Sequence, residues 1–200
     1  MKPRQVFDEP YYQRYYFNPK TRVADQDSVD KAGALLASFL HYADVPVFDV
    51  LDVGCGTGLW KRVIAAHFPR AEYVGIEVSD YLCREYGWTQ ASITDFKPKP
   101  RRQFDLVLCC GVLPYLPSAE AKQALANLTR LCRYALFLQA ATREDWDDVL
   151  NQRTSDPQQH FRSAAWYRRQ LTASFVQIGG GLWLQRRARI PLFSLEHAGR

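Results

Sequence analysis

The sequence predicts an α/β fold: a doubly wound sheet of seven mostly parallel strands, with the last strand antiparallel. Three observations carry this expectation. Short apolar runs recur along the chain, each followed by a stretch with helical spacing, which is the order of a parallel sheet with crossover helices. One of these runs, Phe48 to Val53, ends in glycines at every second position before a helix begins. Near the end, two further runs flank Gly179-Gly180-Gly181, as in an antiparallel hairpin.

Taken in order, residues 4 to 22 form an aromatic segment in which Tyr11, Tyr12, Tyr15, Tyr16 and Phe17 alternate with Arg4, Arg14 and Arg22. It reads either as a lid over a site or as a segment packed on the domain. Asp27 or Ser28 caps a helix to about Tyr42, whose stripe of Ala32, Leu35, Leu36, Phe39 and Leu40 faces a sheet. Phe48 to Val53 is the first strand and Leu59 to Phe68 the next helix. Ala71 to Ile76 is the second strand and ends at Glu77. A short helix capped by Ser79 or Asp80 ends near Gly87, and Trp88 to Ile93 reads as the third strand. Lys97 to Arg102 is an exposed loop before the fourth strand, Gln103 to Cys110. Ser118 opens a helix to about Leu131, with Ala121, Leu125 and Leu128 on one face, and Arg133 to Gln139 is the fifth strand. Residues 151 to 162 read as an exposed polar connection, Ser163 to Ala173 as a helix, and Ser174 to Ile178 with Leu182 to Gln185 as the hairpin. The division expected is one domain over residues 1–200, with an N-terminal lid segment and helix (1–44) on a core (45–200).

The glycine loop narrows the ligand. Asp52-Val53-Gly54-Cys55-Gly56-Thr57-Gly58 lacks the Lys-Ser or Lys-Thr of a phosphate loop, because Leu59 and Trp60 follow. Glycines without Cβ atoms let backbone N–H groups and a helix N-terminus approach a ligand closely. A carboxylate at Asp52 repels pyrophosphate but suits a cationic amine. Nineteen residues after Gly58 stands Glu77, an acid placed to accept both hydroxyls of a ribose. Hydrogen bonds to such a charged acceptor are worth roughly 1.5–3 kcal/mol. The ligand these groups describe is a nucleoside carrying a cationic amino-acid tail, S-adenosylmethionine.

Asp52-x-Gly54-x-Gly56-x-Gly58 with Glu77 resembles the first two motifs of the class I, Rossmann-like S-adenosylmethionine-dependent methyltransferases, and Phe104-Asp105-Leu106-Val107-Leu108 is similar to that family's fourth strand. The resemblance covers roughly residues 45 to 140. It implies methyl transfer, with S-adenosyl-L-homocysteine as product, and a cofactor seat made of Asp52, Gly54, Cys55, Gly56, Gly58, Glu77, Val78, Ser92, Ile93 and Cys110. The family's usual Gly-Asp-Ala after the third strand is replaced by Ala91-Ser92-Ile93, so Ser92 and Ile93 take the adenine contact, with Asp95 a weaker candidate. The Asn-Pro-Pro-Tyr or Asp-Pro-Pro-Tyr of nitrogen-methylating relatives is absent at Cys110-Gly111-Val112-Leu113. Cys55 reads as a small space-filling side chain. Tyr115 is either a pocket floor or a packed aromatic.

Composition limits the partners. A hydrophobic content of 47% and a charged content of 24% are those of a soluble globular protein. No apolar run reaches the roughly 20 residues of a membrane span. Met1-Lys2-Pro3-Arg4 leads into polar and aromatic residues with no secretory apolar stretch, and the five cysteines read as reduced thiols, so a cytoplasmic protein is expected. Four histidines show no metal spacing and no metal is expected. A net charge of +5 leaves nucleic acid open as a partner, although the cations are dispersed. The acceptor expected is a small molecule: Arg14, Tyr15, Tyr16, Arg143 and Trp146 are its candidate contacts, and convergence of Arg14, Arg22, Arg143 and Arg168 would favour a carboxylate-bearing one. RNA or protein methylation and non-catalytic S-adenosyl ligand binding are the alternatives. His160, Glu144, Asp145, Tyr15 and Tyr16 are possible bases, and none carries a spacing that assigns it. Oligomeric state is not encoded in any recognisable pattern.

Overall fold

The computed structural model describes residues 5–197. The leader Met1 to Arg4, including the arginine counted with the aromatic segment, lies outside them, as do residues 198–200.

One sheet contains seven strands: β1 (Asp49–Val53), β2 (Glu72–Glu77), β3 (Thr89–Gln90), β4 (Phe104–Cys110), β5 (Cys132–Gln139), β6 (Phe175–Gly179) and β7 (Leu182–Gln185). Their order is β3-β2-β1-β4-β5-β7-β6. Neighbours from β3 to β5 pair in parallel, and β7 runs antiparallel to both β5 and β6. The expected reversed last strand is therefore present, inserted between β5 and β6.

The central strands β1, β4 and β5 are buried on both faces, and their alternation divides the core in two. Val50, Leu106, Leu108 and Phe137 face α2 (Gln26–Tyr42) and α3 (Leu59–His67). Leu51, Val53, Val107 and Leu136 face α5 (Ser118–Leu131) and α7 (Ala164–Leu171). The amphipathic helices cover these faces because each leaves an apolar stripe that water would otherwise meet. Side-chain caps set helix starts: the Asp25 carboxylate accepts from the Ser28 N–H at the start of α2, two residues before Asp27, the earlier of the two caps expected, and Ser163 caps α7. A short α4 (Asp80–Tyr86) follows Ser79 and ends at Gly87 with φ +69°.

Three expectations are corrected. The third strand spans two residues instead of six, because the ladder ends at the Ala91 N–H, which donates to the Glu77 carbonyl, and the chain then turns, with the Asp95 and Phe96 N–H groups donating to the Ser92 carbonyl. A sixth helix, α6 (Arg143–Asp148), was hidden by its polar composition, and is set by a capping box between Thr142 and Asp145. The 151–162 connection is only partly exposed: Asp156 and Arg162 within it are buried. Arg162 explains why. Its guanidinium donates to the Leu113, Leu116 and His160 carbonyls, which pins the connection against the turn after β4.

Strand order reverses between β1 and β4, so the crossovers leave in opposite directions and open a crevice beyond the carboxyl ends of these strands. Gly54 follows β1 and Gly111 follows β4 at that point. At the N-terminus, α1 (Glu9–Tyr12) and a π-helical turn (Gln13–Phe17) lie across the crevice.

Candidate active site

The glycine loop takes its shape from backbone conformations that side chains resist. Gly54, Gly56 and Gly58 have φ of +65°, +54° and +80°. A Cβ on Gly54 would stand 2.4 Å from Val112 Cγ2, whereas one on Gly56 would meet nothing nearer than 3.8 Å. Gly54 therefore lets the loop close on the turn after β4, and Gly56 leaves an open cradle. Gly58 serves as the N-cap of α3.

Glu77 fixes the loop from the neighbouring strand. Its carboxylate is 4% exposed and accepts hydrogen bonds from the N–H groups of Gly56 (3.0 Å), Val78 (2.7 Å) and Ser79 (3.0 Å). A carboxylate offers about four acceptor positions, so capacity remains for a ligand hydroxyl. Asp52 is 1% exposed and accepts from the Tyr73 hydroxyl. Burial raises its pKa to about 7, partly opposed by Tyr73 and reinforced by the negative charge of Glu77. Such a carboxylate gains from an incoming cation.

Two cavities meet above this loop. The narrower, about 80 Å³, is lined by Val53, Gly54, Gly56, Glu77, Val78, Ser92 and Ile93. The larger, about 600 Å³, is lined by Asp52, Cys55 and Trp60 on one side and by Gln139, Asp145 and Asp156 on the other. Tyr11, Tyr16, Cys110 and Tyr115 border both. The structure thus brings nine of the ten sequence-derived cofactor residues to one pair of connected cavities. Gly58 lines neither; it lies over the Trp88 ring. Asp95 is exposed and also lines neither. Burial pushes the Cys55 thiol pKa upward, and its sulfur occupies space beside Gly75, in keeping with a packing side chain.

The aromatic segment roofs the crevice. The Tyr11 and Tyr115 hydroxyls are 2.8 Å apart, and the Ser79 hydroxyl donates to the Phe7 carbonyl at 2.6 Å. Tyr11, Tyr12, Tyr15 and Leu82 form a buried cluster, with Phe7, Tyr16, Trp88 and Tyr115 packed against it. Burial, and then the charge of Glu77, pushes the Tyr16 pKa up to about 12.

The acceptor candidates divide. Tyr15 and Tyr16 line the larger cavity. Arg143 and Trp146 line a separate outer cavity of about 420 Å³ with His160 and Arg162, where Trp146 stacks on Phe161. Arg14 is exposed with its guanidinium over the Tyr15 ring, Arg22 pairs with Asp25, and Arg168 donates to Gln177. The four arginines do not converge, so the expected clasp for an acidic acceptor is not built. Among the candidate bases, Glu144 is exposed and accepts from the Ala164 N–H, while Asp145 is occupied by the Thr142 cap.

Two residues that sequence reasoning passed over matter here. Trp88 donates its indole N–H to the Gly56 carbonyl at 2.9 Å and supports the loop from below. Asp156 reaches the larger cavity from the connection read as exposed. Neither sits in a motif, and only an aromatic placed just after a helix-ending glycine hinted at the first.

Among the described residues, no group of three or more His, Cys, Asp or Glu side chains is placed to hold a metal ion, and no helix is long and apolar enough to cross a membrane. All five cysteines are free thiols.

Comparison with known proteins agrees with this geometry. Residues 51–134 match the family model described as a methyltransferase domain. No curated protein sequence matches. Among solved structures, the plantazolicin methyltransferase BpumL, in complex with a pentazolic desmethylPZN analog and SAH, is 14% identical with a TM-score of 0.67, over 88% of this chain and 77% of that one. DesVI of Streptomyces venezuelae is 16% identical with a TM-score of 0.62, over 90% and 99%. The magnesium protoporphyrin IX methyltransferase ChlM of Synechocystis PCC 6803, with bound SAH, is 18% identical with a TM-score of 0.62, over 91% and 95%. At these identities the likeness is one of fold. The family match is seated on the strand–loop–strand unit that builds the cavities: residues 51–134 are a methyltransferase domain, and the chain has the Rossmann-like fold of S-adenosylmethionine-dependent methyltransferases.

Proposed function

We propose that this enzyme methylates a small molecule held in the larger cavity, beneath a lid formed by the N-terminal tyrosines, in the cytoplasm. The observation that carries the reading is the cavity itself: about 600 Å³, walled by the glycine loop and roofed by Tyr11, Tyr15 and Tyr16. Small-molecule sites commonly have about 300–1,000 Å³, and a roofed cavity admits a compact acceptor more readily than a folded polymer. ChlM, named for magnesium protoporphyrin IX, gives the reading further support.

On this reading Glu77 binds the ribose hydroxyls, and Val78, Ser92 and Ile93 flank the adenine in the narrow cavity. Asp52 receives the ammonium of the amino-acid tail, with Gly54, Cys55, Gly56 and Cys110 along its length. The open cradle at Gly56 and the buried, cation-seeking carboxylate of Asp52 suit that ligand. When bound, S-adenosylmethionine supplies an activated methyl group. The chain's own part is to hold the acceptor in line, where positioning can contribute about 7–11 kcal/mol, and to exclude water with the tyrosine roof.

A thermal shift with S-adenosylmethionine that disappears in Glu77→Ala tests the cofactor seat. Cofactor turnover with metabolite pools, and none with RNA or protein extracts, is expected of the acceptor assignment. Turnover confined to a macromolecular extract would overturn it, and binding without turnover in any pool would indicate a non-catalytic protein.

A further inference from the structure

The geometry points to Asp156 as the group that anchors an amine-bearing acceptor and takes up its proton. This rests on the small-molecule reading above and goes on to name the acceptor's chemistry.

Asp156 is 2% exposed and lines the larger cavity. Its Oδ1 accepts from the Gln158 N–H at 2.8 Å, but its buried Oδ2 has no aligned hydrogen-bond donor. The Tyr115 hydroxyl is near enough to interact with the carboxylate but is engaged with the Tyr11 hydroxyl at 2.8 Å, and, beside burial, the negative charge of Asp156 also raises the pKa values of Tyr11, Tyr15 and Tyr16. Tyr11, Tyr15, Tyr16 and Tyr115 line the same cavity, so the carboxylate stands among tyrosine side chains. Among the described residues lining the cavity there is no lysine, arginine or histidine; the charged ones are Asp52, Asp145 and Asp156. A buried carboxylate oxygen without a donor costs free energy that a ligand can recover by supplying the donor. Asp145 is committed to its helix cap, and Asp52 to Tyr73 and the cofactor's ammonium, which leaves Asp156 for the acceptor.

A ligand that suits an acid among tyrosine rings is a cationic amine, paired with the carboxylate and lying against the π faces. An ammonium has no lone pair, so it cannot accept a methyl group until it loses a proton. Asp156 takes that proton. The freed nitrogen lone pair then forms the N–C bond as the methyl–sulfur bond breaks, its electron pair remaining on sulfur. The methylated ammonium departs, and Asp156 returns its proton to solvent. Over one cycle a methyl group moves to nitrogen and one proton is released.

Isothermal titration with S-adenosylhomocysteine present to fill the cofactor seat tests this without a known acceptor. The probes are tyramine, its neutral analogue p-ethylphenol and the anionic p-hydroxyphenylacetate. Tyramine is expected to bind the native protein about tenfold to a hundredfold more tightly than p-ethylphenol, with p-hydroxyphenylacetate weakest. In Asp156→Asn, which keeps the side-chain shape, that preference should disappear while S-adenosylhomocysteine binds as before. Absence of an amine preference in the native protein, whether the probes bind equally or all fail, would overturn the assignment; so would a preference that survives Asp156→Asn. The native measurement decides even if the variant does not fold. Failure of S-adenosylhomocysteine to bind native protein would instead be a failure of the cofactor reading.

Discussion

The Tyr73 hydroxyl donates to the Asp52 carboxylate diagonally across the face of the sheet, over Gly75, which is the direct neighbour of Asp52 on β2. This contact tunes the charge of the carboxylate proposed above to receive the cofactor's amine. Burial raises the pKa of Asp52 from 3.8 to about 7, and Tyr73 opposes the rise by stabilising the ionised form. An acid raised by folding holds its proton in the native state at pH values where the unfolded chain has lost it. Its contribution to stability is therefore complete below about pH 4 and is lost as pH rises through about 7. Asp52→Asn should flatten that part of the stability profile of the ligand-free protein. S-adenosylhomocysteine affinity should rise by up to about tenfold per pH unit until near pH 7, then level off. Tyr73→Phe should move this midpoint upward. Calorimetric titrations from about pH 5.5 to 8.5 would show it, and an affinity that does not change with pH would contradict the role given to Asp52.

Trp88 supports the loop through one hydrogen bond to Gly56. Trp88→Phe keeps a ring in place but removes the donor. A neutral hydrogen bond is worth about 0.5–1.5 kcal/mol, so S-adenosylhomocysteine should bind about twofold to tenfold more weakly. Unchanged affinity, measured by titration, would mean that the loop holds its shape without the indole.

Gly75 and Gly87 are glycines for different reasons. A Cβ on Gly75 would come within 2.8 Å of Cys55 Sγ and 2.9 Å of Trp88, whereas one on Gly87 would touch nothing within 4 Å but would sit at φ +69°. Gly75→Ala should destabilise by about 1–3 kcal/mol through overpacking and weaken cofactor binding, because both displaced side chains support the loop. Gly87→Ala should cost about 1 kcal/mol and leave cofactor binding intact. Urea unfolding with parallel ligand titrations separates the two.

Arg162 holds the 151–162 connection by three backbone carbonyls and stacks over Trp166. Arg162→Met leaves those carbonyls without their charged donor, and a loss of at least about 1.5–3 kcal/mol is expected, the worth of one hydrogen bond to a charged group. Denaturant unfolding measures it. Since the same connection carries Asp156, any variant that still folds should lose amine-probe binding before it loses S-adenosylhomocysteine binding.

Most of the order of strands and helices was legible because the central apolar runs, β1, β4 and β5, are buried on both faces of a parallel sheet. The glycine loop was legible because Gly54 and Gly56 occupy backbone conformations that bulkier residues avoid, and Glu77 because its distance along the chain is set by one strand–helix–strand unit. These are local constraints, and sequence alone determined them: the α/β class, the glycine loop and the position of its acid. Contacts between distant segments left no comparable trace. Trp88 supports a loop thirty-two residues away along the chain, and the shallow hydrophobicity of 151–162 concealed a buried carboxylate. The arginines that the sequence offered as an anion clasp lie apart, because their placement depends on packing between elements that no local pattern records. Only the tertiary structure decided the character of the acceptor cavity, since burial and the absence of neighbouring cations are properties of segments brought together by folding.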